Sequence, residues 1–112
     1  VASGFVQITT TTERRQDAER IAELLLRERL AACVQLVAIA SRYRWRGNIE
    51  RTDEWLCVIK TRASLFADVE RLVRANHPYE VAELIATELV DGSADYLAWI
   101  GAETESPSQV PD

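Results

Sequence analysis

The 112-residue sequence predicts a single α+β domain in which one antiparallel sheet carries helices. Three observations predict it. Apolar and β-branched runs alternate with helix-period segments in the order strand, helix, strand, strand, helix, strand. A Gly47-Asn48 pair between two long strand-like runs marks a hairpin. The composition, 47% apolar and 28% charged, fits one hydrophobic core at this length and leaves no room for a second.

Phe5 to Thr12 is rich in β-branched residues and ends in threonines, as a strand passing into a helix cap would. From Arg14 to Leu30, the residues Ala18, Ile21, Ala22, Leu25 and Leu26 recur at helical spacing, with Glu19, Arg20, Glu23 and Arg27 opposite them. Ala31 to Ala40 is almost continuously apolar and leads into Ser41 to Arg46, where arginine and aromatic residues alternate. This reads as a long strand that is covered on both faces. Ile49 to Thr61 is the returning strand of the hairpin. Ser64 to Ala75 forms the second helix, with Leu65, Phe66, Val69, Leu72 and Val73 on one stripe, and Pro78 disfavours helix at His77. A fourth strand is expected from about Glu83, ending before the Asp91-Gly92 turn. Ser93 then caps a short helix through Ala102. Residues 1–103 form the domain, and residues 104–112, rich in Ser, Pro and Gln, are expected to be a disordered tail.

This order matches the split βαβ plan of ferredoxin-like domains, with an added C-terminal helix. The plan predicts helices on one sheet face and leaves the other bare. Yet the second strand is apolar in both registers, with Cys33, Val37 and Ile39 on one side and Val34, Leu36, Ala38 and Ala40 on the other. Self-association through the bare face follows, with the hairpin arm reaching a neighbour.

The net charge of −5 disfavours nucleic acid and anionic membranes as partners, and no apolar run approaches the roughly 20 residues that span a bilayer. No targeting segment is recognisable, so the cytoplasm is the expected location. Cys33 and Cys57 lie among apolar neighbours and read as reduced thiols. The alternation Arg42, Tyr43, Arg44, Trp45, Arg46 could suggest stacking of single-stranded nucleic acid. On a strand, however, it puts cations and aromatics on opposite faces, which favours subunit contact. With only four glycines, no phosphate loop, no glycine-flanked serine and no second histidine, the chain is expected not to be an enzyme.

Four segments together resemble the CutA divalent-cation tolerance family: Leu30 to Val34, Tyr43 to Gly47, Glu54 with Lys60-Thr61, and Asn76 to Val81 followed by Glu83 and Tyr96 to Ile100. The resemblance spans about residues 5 to 102. It implies a ferredoxin-like subunit that assembles as a homotrimer with hairpin arms extended onto neighbours, contacting them through Tyr43, Trp45 and Tyr96. It also implies a role in tolerance of copper and other divalent cations. No obligatory cofactor is expected; Cu2+ or another divalent cation is the candidate ligand. His77 is the candidate metal residue, with partners drawn from Glu80, Glu83, Glu54, Cys33 or another subunit. Its ordinary alternative is a hydrogen bond to a backbone carbonyl near the helix end. Some family members carry Cys where this chain has Thr10 and a second His where it has Asn76; both absences weaken a soft-metal site. Ala82 also stands where the family usually has Pro.

The fold is similar to that of PII signalling proteins. This suggests a second reading, in which a small anionic metabolite binds an intersubunit cleft lined by Glu54, Lys60, Tyr79 and Trp99. A third reading is a structural trimer that anchors a partner protein.

Overall fold

The computed structural model describes residues 3–105. Its elements are β1 (Phe5–Thr12), α1 (Arg15–Arg27), β2 (Cys33–Trp45), β3 (Asn48–Arg62), a 3-10 turn (Ala63–Leu65), α2 (Phe66–Asn76), β4 (Ile85–Glu88) and α3 (Ala94–Glu103). The strands form one sheet in the order β2-β3-β1-β4, with every neighbouring pair antiparallel. That is the expected split βαβ arrangement, with β1 and β3 central and β2 and β4 at the edges.

Directly paired residues share a face, so the register separates the two sides of the sheet. Val6 opposite Thr61, Ile8 opposite Ile59, and Ile59 opposite Val34 lie on the side covered by α1 and α2. There Ile8 and Ile59 meet Ala18, Ile21 and Leu25 of α1 and Val69 and Val73 of α2, all fully buried. Each such Leu, Ile or Val contributes about 1.5–3 kcal/mol by leaving water, so this layer holds the fold together.

The remaining helix, α3, departs from the one-faced plan. Gly101 lies against the Phe5 ring and Lys60 Nζ sits 5.7 Å from the Tyr96 ring centroid, and both Phe5 and Lys60 point to the side away from α1 and α2. Its C-terminal carbonyls are held by side chains from the sheet and the α1–β2 loop. Arg62 donates to the Gly101 carbonyl and to Thr104 Oγ1, and Arg29 donates to the Ala102 carbonyl at 2.7 Å. Thr104, placed by its composition in the tail, is buried, and the Glu105 N–H bonds to the Arg29 carbonyl. Residues 106–112 of that expected tail lie outside the described residues.

Several boundaries differ from the sequence expectation. The hairpin loop is Arg46-Gly47, with φ of 50° and 83°, closed by Trp45 opposite Asn48. A two-residue loop of this kind needs two positive φ values, and the register puts the arginine there and Asn48 in β3. Helix α1 stops at Arg27 because Arg29 adopts φ 59°. The Leu30 N–H then reaches the Leu25 carbonyl and the Arg29 N–H the Leu26 carbonyl, a Schellman closure without glycine. The Thr12 hydroxyl donates to the Arg14 carbonyl and caps no helix, and Ser93 makes no side-chain cap bond. Strand β4 begins at Ile85, leaving Glu83 in the preceding segment. Strand β2 is largely exposed along its length rather than covered on both faces. No described helix is long and apolar enough to cross a membrane.

Candidate functional site

A groove of about 760 Å³ opens between the hairpin arm and the segment Pro78–Glu83. Glu54 lies in it, on β3, and is only 7% exposed. The Tyr79 hydroxyl donates to Glu54 Oε2 at 2.8 Å, and no described residue bonds the other carboxylate oxygen or forms an ion pair with Glu54. Burial, then the Glu54 hydrogen bond and negative charge, push the Tyr79 phenol far above its ordinary range, so the hydroxyl stays a donor. Tyr43 and Trp45 of the arm add aromatic surface, and the Tyr43 hydroxyl is 2.8 Å from Thr52 Oγ1. At the rim, Arg46 pairs with Glu80 at 2.7 Å and bridges the arm to the 78–83 segment. Both partners are well exposed, so this pair is worth at most about 1 kcal/mol.

His77 fixes the approach to this groove. Its Nε2 lies 2.7 Å from the Thr11 carbonyl, and its Nδ1 accepts the Tyr79 N–H at 3.1 Å. The two bonds together require the neutral ring protonated at Nε2. The ring also packs on Tyr79, with centroids 4.9 Å apart. Both ring nitrogens are thus engaged by backbone groups, and the carbonyl is that of Thr11 at the end of β1 rather than one near the end of α2.

The candidate metal residues do not converge within one chain. Cys33 is paired with Lys60, four residues along β3 from Leu56, the partner of Thr11, which is roughly 13 Å at strand spacing. Glu80 is engaged by Arg46, and Glu83 lines the groove as an exposed side chain. No group of three or more described His, Cys, Asp or Glu side chains is placed to hold a metal ion. The donor set therefore does not fit a resident metal held by a single chain.

The expected cleft residues split in the same way. Glu54 and Tyr79 meet, whereas Lys60 lies six residues along β3, bonded to Gln35 Oε1 at 3.0 Å and set over Tyr96, which stacks on Trp99 at 5.5 Å. Tyr43, Trp45, Tyr96 and Trp99, the first three of them expected at a subunit contact, are all exposed aromatics in the single chain. The Thr11 carbonyl and Arg46 were not foreseen as part of the site. No local pattern signals a backbone acceptor 66 residues from its histidine.

Residues 6–103 match the model of a family described as the CutA1 divalent ion tolerance protein. The chain is 43% identical to the mouse protein named CutA over 96% of its own length, and it spans 59% of that relative. It thus covers about three fifths of the mammalian relatives it matches. It is 37% identical to the divalent-cation tolerance protein CutA of Thermus thermophilus, over 87% of this chain and 95% of that one. Among solved structures, that of the periplasmic divalent cation tolerance protein CutA from Archaeoglobus fulgidus superposes with a TM-score of 0.88 at 37% identity. The match covers 90% of this chain and 99% of the other. CutA1 from Oryza sativa gives 0.89 at 35% identity, over 93% and 96% of the two chains. One further relative, from Arabidopsis thaliana, is named chloroplastic.

Proposed function

Because the chain belongs to the CutA1 divalent ion tolerance family, we propose that it serves divalent-cation tolerance as a homotrimer that catalyses no reaction and holds metal ions only weakly. The observation that carries this reading is the sheet face opposite α1 and α2, which α3 covers only in part. Beyond α3, Val37 is 46% and Ile85 58% exposed, and Ile39, Leu56 and Val58 are half-buried beside them. The patch spans both edge strands, whose outer backbone groups have no strand partner among the described residues. An apolar sheet face flanked by open edges is removed from water by closed association of like copies.

Metal binding then falls to solvent-facing carboxylates such as Glu80 and Glu83, since both His77 nitrogens serve the backbone. Calorimetric titration of Cu2+ and Zn2+ into chelator-stripped protein tests this. Weak saturable binding that survives His77→Ala and falls in Glu80→Gln/Glu83→Gln is expected. Tight binding abolished by His77→Ala alone would overturn the metal part of the proposal.

A further inference from the structure

Residues 89–93 join β4 to α3 and belong to no helix or strand. Their ends are tied down: the Leu89 N–H bonds to the Phe5 carbonyl, and the Ser93 carbonyl accepts from the Leu97 N–H in the first turn of α3. Between them Asp91 is followed by Gly92, the one place among the described residues where glycine follows an aspartate or asparagine. Both residues are exposed. The Gly92 N–H donates to Asp91 Oδ1 at 2.8 Å and has no other acceptor among the described residues.

That contact brings two reactive groups together. The carboxyl carbon of an aspartate can be attacked by the backbone nitrogen of the next residue, which closes a five-membered imide ring. Asp91 Cγ is one C–O bond from Oδ1, so it lies at most about 4 Å from the Gly92 nitrogen, near the roughly 3–3.5 Å of an attacking pair. Gly92 has no side chain to crowd the closing ring, and no helix or strand bond must break first. The other described aspartates lack this setting. Asp17, Asp68 and Asp95 lie in the first turns of helices and Asp53 lies within β3, each followed by a residue with a side chain.

We infer that Asp91 is a site of spontaneous backbone isomerisation, in which the Asp91–Gly92 linkage passes through a succinimide to an isoaspartyl form. In the first step the bond from the Gly92 nitrogen to Asp91 Cγ forms, and one carboxyl oxygen leaves as water with the carboxyl and amide protons. In the second, water adds to either ring carbonyl. Cleavage between nitrogen and Cγ restores aspartate; cleavage between nitrogen and the main-chain carbonyl carbon of Asp91 leaves the chain running through the side chain. Nothing is oxidised or reduced, and the net composition is unchanged. The product carries an extra methylene in its main chain and a free α-carboxylate, at a point where even a Cβ on Gly92 would come within 3.2 Å of Leu97. The entry to α3 is therefore displaced. Both reacting atoms belong to one chain, so the reaction needs neither a metal ion nor a second copy.

The test is prolonged incubation of the intact protein, in its native assembly, in neutral buffer at physiological temperature, beside a sample held unfolded in guanidinium chloride. Peptide mapping with electron-transfer fragmentation distinguishes the two linkages at residue 91, and enzymatic methylation of the new α-carboxylate from labelled S-adenosylmethionine counts it independently. In the native protein, isoaspartate at Asp91 is expected to form at a rate within about tenfold of the unfolded chain's, and at least about tenfold faster than at any other described aspartate or asparagine. Asp91→Glu keeps the carboxylate but would need a six-membered ring, so methylation at this position should be lost. A native rate more than about tenfold below that of the unfolded chain overturns the proposal, because the folded loop or a neighbouring subunit then holds the two atoms apart. So does methylation undiminished in Asp91→Glu, or isoaspartate that forms as fast at another described residue.

Discussion

Replacing His77 by alanine is expected to destabilise the protein by about 2 kcal/mol, and by the same amount with and without chelator. The ring makes two backbone bonds, one to the Thr11 carbonyl and one from the Tyr79 N–H, each worth about 1 kcal/mol net. Its tilted contact with Tyr79 adds about 0.5 kcal/mol, and partial exposure of the ring keeps the total near the lower end. Removing the ring also leaves the Thr11 carbonyl and the Tyr79 N–H to find water. Equilibrium urea unfolding at fixed protomer concentration is the assay, because an associating protein's apparent stability depends on concentration. His77→Asn should recover about half of the loss, since its Oδ1 falls near the position of Nδ1 and can accept from Tyr79. A loss below about 0.5 kcal/mol would refute the two-bond role of His77, because it is smaller than one such bond. So would a loss seen only in the metal-loaded protein, which would return His77 to the role of ligand.

Two further outcomes follow from buried groups of β1 and β3. The Thr10 hydroxyl is fully buried with no hydrogen-bond partner among the described residues, so Thr10→Val should raise stability by about 1 kcal/mol in a thermal or urea melt; a loss of similar size would show that the hydroxyl is satisfied. Burial pushes the Cys57 thiol from 9.0 up to about 11, so the unfolded chain ionises first as pH rises. Its contribution is complete below about pH 9 and declines towards pH 11 by a total of about 3 kcal/mol. Urea midpoints from pH 8 to 11 should therefore fall more steeply in the wild type than in Cys57→Ala, and parallel curves would contradict the assignment. The Tyr79 phenol, also raised, adds an alkaline loss common to both proteins.

Much of the fold was legible because burial imposes periodicity. Ile21 and Leu25 on α1, Val69 and Val73 on α2, and the alternating β-branched residues of β1 appear in the sequence as the stripes that the core then uses. What was not legible depends on backbone conformations that the residue types do not favour. Arginine at positive φ ends α1 and turns the hairpin, where glycine or asparagine would be the usual signal. The position of α3 across the second face was hidden because its apolar residues, Tyr96, Leu97, Trp99 and Ile100, name a buried stripe without saying which layer buries it. At the site, Glu54 and Tyr79 were both foreseen, yet their bond spans 25 residues and was visible only as two separate candidates. The separation of Lys60 from Glu54 is a matter of strand rise: six residues of extended chain cover roughly 20 Å, and only a second copy could bring such ends together.

The central claim is that one chain is incomplete and closes its second sheet face against two others. Light scattering coupled to size exclusion, run at micromolar concentration on the wild type and on Val37→Asp, tests it directly. Val37 is 46% exposed in the single chain, so the charge costs the isolated fold little while falling in the middle of the proposed contact. The account predicts a mass three times that of the chain for the wild type, and a monomer of native circular dichroism for the variant. A stable wild-type monomer, or a trimer indifferent to aspartate at Val37, would contradict it.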